Sequence, residues 1–147
     1  MVQPRVPTTR QCYATALRKA SRRLTSMYDE ALAPSGLRST QYAILGELTG
    51  DEPITINELA RALVMDRSGL GHSLRPLQRD GLVRLDKGPT DRRSVHVVLT
   101  EEGRRKFDEA AVLWRSVQDR VVEVLGALEA DQLRARLNEI AEDDRLG

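Results

Sequence analysis

Apolar residues recur every three or four positions over most of the chain, which is the spacing of an amphipathic helix. This pattern predicts a first helix from Arg10 to Leu32, ended by Pro34 and Gly36, after an extended arm at residues 1–9. The apolar positions of that helix are Leu17, Ala20, Leu24, Tyr28 and Ala31. Its arginines fall on other faces, so one side is left for packing.

Three further helix starts are marked by side chains that can accept a hydrogen bond from the first turn. Ser39 precedes a second helix, and Thr55 with Glu58 forms a T-x-x-E capping box before a short third one. Asp66 precedes a fourth helix, RSGLGHSLRPLQRD, which stops at Gly81. Two short helices joined by a tight turn are typical of a helix-turn-helix.

The period then changes to two, which is the spacing of strands. Apolar and polar residues alternate in LVRLDK and again in SVHVVLT, and the turn formers Gly88 and Pro89 lie between them. This arrangement predicts a β-hairpin. A helix-turn-helix followed at once by a hairpin is a winged helix.

The last part of the chain is helical again, starting at the capping residue Thr100. Its apolar residues alternate in steps of three and four, a coiled-coil seam over three heptads. The seam residues are Phe107, Ala110, Trp114, Val117, Val121, Val124 and Leu128. A final helix carries Leu133, Leu137 and Ile140. The predicted fold is therefore mainly α with a small β-hairpin wing (α+β), as one domain over residues 1–147.

Composition and charge limit the cellular compartment and the kinds of partner that we expect. The chain has 147 residues, and its single cysteine, Cys12, cannot form an internal disulfide. Short apolar runs and a start without an apolar core predict a soluble cytoplasmic protein with no membrane partner. The net charge is only +1, yet residues 54–100 hold eight basic and five acidic side chains, while residues 101–147 hold eight and twelve. One face can therefore meet a polyanion.

Catalysis finds little support in the sequence. Two histidines and one cysteine form no metal-spaced cluster, so no metal or cofactor is expected. Ser68 and His72 share a helix face, but no acid is placed to complete a triad. We therefore expect no catalytic residues and no enzyme.

Several motifs, in order, resemble the MarR family of winged-helix transcriptional regulators. The most specific is DRRSVHVVLTEEG at residues 91–103, which is similar to the family's wing pattern of D-x-R followed by V-x-L-T and a glycine. INELARAL and MDRSGLGHSLRPLQRDGL resemble the two helices of its DNA-binding motif. The resemblance implies dimerisation helices at 10–33 and 101–147 around a winged helix-turn-helix at 39–100. It also implies a homodimeric repressor of a palindromic operator, released by a small molecule or by oxidation.

The fourth helix is then expected to read double-stranded DNA. Ser68, His72 and Arg75 lie at i, i+4 and i+7, so they share a face suited to base edges or phosphates. Gly69 and Gly71 carry no side chain, which allows the backbone to approach the groove. The remaining predicted contact of this helix is Arg67, and Pro76, which removes a backbone donor, predicts a bend after His72.

The wing supplies the other predicted DNA contacts, Asp91, Arg92 and Arg93. Two adjacent arginines at a hairpin tip can be merely a solvated surface, but beside a helix-turn-helix they favour minor-groove and phosphate contacts. By resemblance Arg93 is the inserted side chain and Asp91 its bidentate brace, with Arg92 toward phosphate.

Signal sensing is less clearly marked. The family places an effector cavity between the dimer helices and the winged helix, and five residues are candidates to line it: Arg18, Arg22, Tyr28, Tyr42 and Trp114. Each of these residues can equally be a packing or surface residue. An arginine in the cavity would suit a phenolic or anionic aromatic effector. Cys12, near Arg10 at a helix start, gives an alternative as a thiol-based redox sensor. A winged helix that binds only proteins is a further alternative.

Overall fold

The computed structural model describes residues 9–147, so most of the arm predicted at residues 1–9 lies outside the described residues. The fold is mainly α with one small antiparallel sheet, as the sequence predicts. Its elements are α1 (Tyr13–Leu32), α2 (Ser39–Glu47), β1 (Ile54–Thr55), α3 (Ile56–Ala62), α4 (Arg67–Arg79), β2 (Val83–Lys87), β3 (Val95–Leu99), α5 (Glu101–Leu125) and α6 (Ala127–Glu142). Short 3-10 turns span Thr9–Gln11, Ala33–Ser35 and Asp144–Leu146.

Side-chain caps fix where the helices of the winged helix begin. Thr55 Oγ1 accepts the Glu58 N–H at 3.2 Å, and the Glu58 carboxylate accepts the Thr55 N–H at 2.8 Å, so the predicted capping box is confirmed. Asp66 likewise accepts the N–H of Gly69. Ser39 is not a cap, because α2 starts on it and its N–H donates to Asp29 at 2.7 Å. Each cap satisfies a first-turn donor that would otherwise lack a partner.

The hairpin pairs as predicted, with Val83 opposite Leu99 and Lys87 opposite Val95. A third strand, β1, joins the other edge of β3, so the order is β1-β3-β2. The sequence did not predict β1, since two residues are too few to show a period. Its Ile54 lies opposite Val97, which is 1% exposed, and so ties the start of α3 to the root of the wing.

One apolar core lies under the sheet and helices α2 to α4. Its fully buried side chains are Leu32, Ile44, Leu45, Leu59, Leu70, Leu77 and Val97. Burial of a leucine or isoleucine side chain stabilises the fold by about 1.5–3 kcal/mol. The core of the winged helix is completed by Leu32 at the end of α1 and Ala110 on α5, and α4 is held by one side only, which leaves the other side free.

α4 is also fixed at its end, where it meets the start of α5. Gly81 follows it with a φ of 72°, the left-handed conformation that glycine favours at a helix end. Thr100 Oγ1 donates to the Gly81 carbonyl at 2.6 Å and accepts the Gly103 N–H at 3.0 Å. A Cβ on Gly103 would stand 2.0 Å from the Leu82 carbonyl oxygen, so only glycine lets the two segments come this close. α4 and α5 are thus joined at a tight junction.

The predicted seam of α5 does not continue as one helix. Ala110 and Val117 are buried, but Val124 is 75% exposed and the helix ends at Leu125. Gly126, with a φ of 92°, turns the chain, which puts Leu128 on α6. The three-and-four spacing thus crosses a turn that periodicity alone does not show.

α4 includes Pro76 as one uninterrupted helix, and the bend expected there stays a prediction. Among residues 9–147, no helix combines the length and apolarity needed to cross a membrane.

Candidate nucleic-acid interface

α4 has one apolar side and one polar side. Leu70, Leu74 and Leu77 are all at most 2% exposed, which turns the opposite side to solvent. The predicted contacts on that helix are Arg67, Ser68, His72 and Arg75, which are exposed, and Gly69, which is half-buried. The structure therefore presents these residues on a surface that a partner can reach.

The wing tip places Asp91, Arg92 and Arg93 in solvent between β2 and β3. Asp91 Oδ1 accepts the backbone N–H of Arg93 at 2.9 Å. The bidentate pair predicted between Asp91 and an arginine side chain is not formed in the described part of the chain. An aspartate two residues ahead closes a local turn without ordering a long side chain. Asp91 therefore shapes the loop rather than the guanidinium.

Hydrogen bonds inside the loop hold this tip together. The Ser94 hydroxyl and N–H both donate to the Asp91 carbonyl, at 2.8 and 3.1 Å, and the Gly88 N–H donates to the Ser94 carbonyl at 2.9 Å. Gly88 is buried, and a Cβ there would stand 2.7 Å from the Asp91 carbonyl oxygen. Gly88 is thus more than a turn former, because the close packing of the loop depends on it.

The arginines of the interface differ from those beside it. Arg79 and Arg84 pair with Asp80 and Asp86 at 3.3 and 3.1 Å. Within residues 9–147, by contrast, no carboxylate pairs with the four arginines of the predicted interface. These four are Arg67, Arg75, Arg92 and Arg93. Four exposed guanidinium groups are thus available to an anionic partner.

Recognition helix and wing share one small polar cleft of about 100 Å³. Arg67 lines it from α4, and Arg93 and Ser94 line it from the wing. Asn57, which sequence reasoning missed, lines it from the first turn of α3. The only hint of it in the sequence is that Asn57 lies between Thr55 and Glu58 of the capping box, where the cap itself does not require a polar residue. The cleft brings together cations that lie 26 residues apart in the chain.

A second feature lies between α1 and α6, the first and last α-helices of the chain. We call it the terminal groove; it is about 960 Å³ in volume and almost wholly apolar. α1 lines it mainly through Tyr13, Leu17, Ala20, Leu24 and Tyr28, and α6 through Leu133, Leu137 and Ile140. Tyr13 is 88% exposed and Ile140 47%. Apolar surface of this kind marks an interaction site.

The five predicted effector residues do not converge on this groove. Tyr28 lines it, and its hydroxyl donates to the Gln118 side chain on α5. Tyr42 instead stacks on Phe107 and Trp114, with ring centroids 4.7 and 5.9 Å apart. Because Trp114 and Gln118 are one helical turn apart, the three aromatic candidates follow one seam between α1, α2 and α5.

The two arginine candidates lie elsewhere. Arg18 and Arg22 are exposed on α1 and are not among the groove's lining residues. Burial raises the pKa of the Tyr28 and Tyr42 hydroxyls, which keeps both neutral donors. The seam formed by Tyr28, Tyr42 and Trp114 therefore offers aromatic surface and hydroxyl groups, while the positive charges of Arg18 and Arg22 lie outside it.

Cys12 is exposed just before α1. Hydrogen bonds from Thr15, first from its hydroxyl and then from its backbone N–H, lower the pKa of the thiol, and the charge of Arg18 adds to this. The expected cation was Arg10, but Arg18, six residues after Cys12, takes that role. An exposed thiol with a lowered pKa is reactive.

Comparison with known proteins decides what kind of molecule carries these features. A model of the MarR family matches residues 35–94, from the end of α1 to the wing. The transcriptional regulator MosR of M. tuberculosis, solved in complex with DNA, is 34% identical, with a TM-score of 0.80 over 89% of this chain and 94% of that chain. The chain belongs to the MarR family.

Two further relatives of this MarR-family chain agree. The transcriptional repressor CouR of Rhodococcus jostii RHA1, bound to a 23-mer DNA duplex, is 27% identical, with a TM-score of 0.83 over 96% of this chain and 100% of that one. The HTH-type transcriptional repressor NicR of Pseudomonas putida is 29% identical over 87% of this chain and 81% of its own length. These relatives are transcriptional regulators and not enzymes, and this MarR-family chain is a transcriptional regulator with a winged helix.

Proposed function

We propose that the protein is a homodimeric repressor that binds a palindromic operator in double-stranded DNA and releases it when a small molecule binds. The observation that carries the proposal is the set of four exposed arginines on α4 and the wing tip that have no carboxylate partner within residues 9–147, whereas Arg79 at the end of α4 and Arg84 on β2 are paired. Such cations neutralise phosphates and release counterions. A protein-binding winged helix would have no need of them on both elements.

On the DNA, α4 lies in the major groove and the wing reaches the next minor groove. Ser68, His72 and Arg75 face base edges or phosphates, and Gly69 lets the helix come close. Arg93 enters the minor groove, where a narrow groove strengthens the negative potential, and Arg92 faces phosphate. Arg67 takes a backbone phosphate, and Asp91 acts by shaping the wing loop.

Two winged helices have to stand about 34 Å apart to read both half-sites. The terminal groove supplies the means, because its apolar lining on α1 and α6 is covered when a second copy packs there. We therefore assign residues 10–33 and 101–147 to dimerisation and residues 39–100 to DNA binding, within one domain over 1–147.

The effector binds along the seam of Tyr28, Tyr42 and Trp114, where aromatic side chains and hydroxyls suit a phenolic or aromatic acid. Arg18 and Arg22 lie at the outer surface of α1 and act only as a source of positive potential. Mass spectrometry of molecules that copurify with the protein, and of their loss in a Tyr42→Ala variant, tests this part.

The main test is a gel-shift titration with the protein's own upstream DNA between 50 and 200 mM salt, with a scrambled duplex as control. We expect one shifted dimer complex that weakens steeply with salt, since phosphate contacts dominate affinity. Footprinting should then show two protected half-sites one helical turn apart. Binding that is absent on both duplexes, or insensitive to salt, contradicts the proposal and favours a protein-interaction module.

A redox-sensing repressor is the second candidate, favoured by the exposed, reactive Cys12. A relative, the organic hydroperoxide resistance transcriptional regulator of Bacillus subtilis, is 30% identical over 57% of this chain and 57% of its own length. Oxidised Cys12 would have to pair with a small thiol or with a second chain, because the sequence holds no other cysteine. Peroxide-induced release that persists in Cys12→Ser rules this candidate out.

A further inference from the structure

Two glycines of α4, two residues apart, stand in different surroundings. A Cβ on Gly69 would lie 2.8 Å from Asp66 Oδ1, the oxygen that caps the helix. A Cβ on Gly71 would meet nothing within 4 Å in the part of the chain that the structure describes. Gly69 is therefore explained by the fold, and Gly71 is not.

Backbone conformation does not explain Gly71 either. Positive φ angles occur at Gly36, Gly81 and Gly126, and Gly71 has an ordinary helical backbone. Glycine is the poorest helix former after proline, so alanine at this position would stabilise the isolated protein. The chain keeps a residue that weakens its own recognition helix, and nothing in the described structure gains from it.

The position of Gly71 supplies the reason. One of its helix neighbours, Leu74 at i+3, is buried in the core, and the other three, Arg67, Ser68 and Arg75, lie at i−4, i−3 and i+4. All three are exposed, and both arginines lack a carboxylate partner within residues 9–147. The missing side chain thus leaves a shallow depression beside Arg67, Ser68 and Arg75, at the border between the exposed and buried sides of α4.

We infer that Gly71 is the point at which duplex DNA touches the backbone of α4, so that its lack of a side chain sets how deeply the recognition helix enters the groove. This rests on the proposed function. Arg67 and Arg75 bind on either side of the contact, and their reach to the DNA depends on that depth. A methyl group at residue 71 would hold the helix further from the DNA. Arg67, Ser68 and Arg75 would then all lose contact with it at once.

The inference predicts opposite changes in two measurements on one variant. Gly71→Ala should raise the melting temperature by about 2–4 °C at equal protein concentration, as expected for improved helix propensity in a chain of this size. The same variant should bind the upstream duplex at least about fivefold more weakly, a loss of about 1 kcal/mol. A role in folding alone cannot produce a more stable protein that binds less well.

Two controls make the result specific. Gly50→Ala adds the same methyl group where nothing lies within 4 Å, on a loop away from the interface, and should leave affinity unchanged. Gly71→Ser should weaken binding at least as much as Gly71→Ala, since the obstruction grows with size.

Three outcomes overturn the inference. Affinity within twofold of the wild type means that DNA does not come close to residue 71, while wild-type binding in the same titration leaves the proposed function standing. A lower melting temperature of Gly71→Ala means that the chain itself needs glycine there. Failure of the wild type to bind either duplex removes the proposed function and this inference together.

Discussion

The winged helix and the terminal helices use their apolar residues in opposite ways. In the winged helix, Leu59, Leu70 and Val97 are at most 1% exposed within one chain, and most of the exposed side chains are polar or charged, with Val64 an exception. Along α1 and α6, Tyr13, Leu133 and Ile140 are between 43% and 88% exposed and line an open groove. The winged helix therefore buries its core residues within a single copy, whereas the terminal helices leave much of their apolar surface exposed.

This difference separates two kinds of partner. A region with a finished core and unpaired cations binds through charge, and its affinity depends on salt. A region with an unfinished apolar surface binds through burial, which salt does not weaken. Substitutions in one region should therefore alter DNA contacts alone, while substitutions in the other should alter assembly first and DNA binding as a consequence.

The largest effect is expected from Leu137→Glu in the terminal groove. A carboxylate there has to be buried unpaired when two copies pack, so the dimer should dissociate, as light scattering after size exclusion will show. Loss of the second half-site contact should weaken operator binding by about 100-fold or more, over 2.7 kcal/mol. Val64→Glu, at a residue that is 69% exposed and outside the segments assigned to dimerisation, is the matched control and should stay dimeric. A dimeric Leu137→Glu protein contradicts the assignment of this region.

The next largest effect is expected from Arg93→Ala on the wing. Removal of this guanidinium should weaken DNA binding by at least about tenfold, or 1.4 kcal/mol, in fluorescence anisotropy titrations. Circular dichroism and dimer mass should not change, because the side chain is exposed. Arg84→Ala removes an equal charge from a neighbouring strand, where it pairs with Asp86, and should have little effect. Equal affinities of the two variants would remove the wing from DNA binding.

A smaller effect is expected from Gly88→Ala, which acts on the wing without touching its charge. The added methyl group has to displace the Asp91 carbonyl and so moves the loop that carries Arg93, which should reduce affinity several-fold. In an Arg93→Ala background the same change should have a smaller effect on affinity, because only the contact of Arg92 is left to lose. An additive loss in the double variant would mean that Gly88 acts elsewhere.

The smallest effect is expected from Thr55→Ala at the start of α3. Loss of the cap should lower the free energy of unfolding by about 1 kcal/mol, measured by urea denaturation. Dimer mass should be unchanged, since the terminal helices are not involved. A Thr55→Ser variant keeps the acceptor and should retain most of the stability; a loss equal to that of alanine would argue against the cap.

Sequence reasoning performed best where one local rule acts. Three capping residues were predicted, Thr55, Asp66 and Thr100, and so was the alternation of apolar and polar residues in β2 and β3. Each of these depends on neighbours within a few positions. The winged-helix arrangement followed from the order of these elements, and the fold confirms it, while the dimerisation role that family resemblance added stays a prediction.

The failures have other causes. β1 is two residues long and shows no period, and the α5 seam crosses a turn at Gly126 that apolar spacing cannot reveal. Asp91 was expected to pair with an arginine side chain, and instead it accepts a backbone N–H. The different surroundings of Gly69 and Gly71 are likewise invisible in sequence, since both read as the same letter. Of these features only β1 depends on a partner far along the chain; the others are local geometries that residue type alone does not specify.

The tight junction at Thr100 and Gly103 has a consequence for how such a regulator can change over time. Because the end of α4 is fastened to the start of α5, we expect each winged helix and its α5 to move together in the proposed dimer. The distance between the two proposed half-sites would then depend on the terminal helices, and the bases read within each half-site would depend on α4. Operator spacing and operator sequence can therefore be altered by separate sets of substitutions, each without loss of the other.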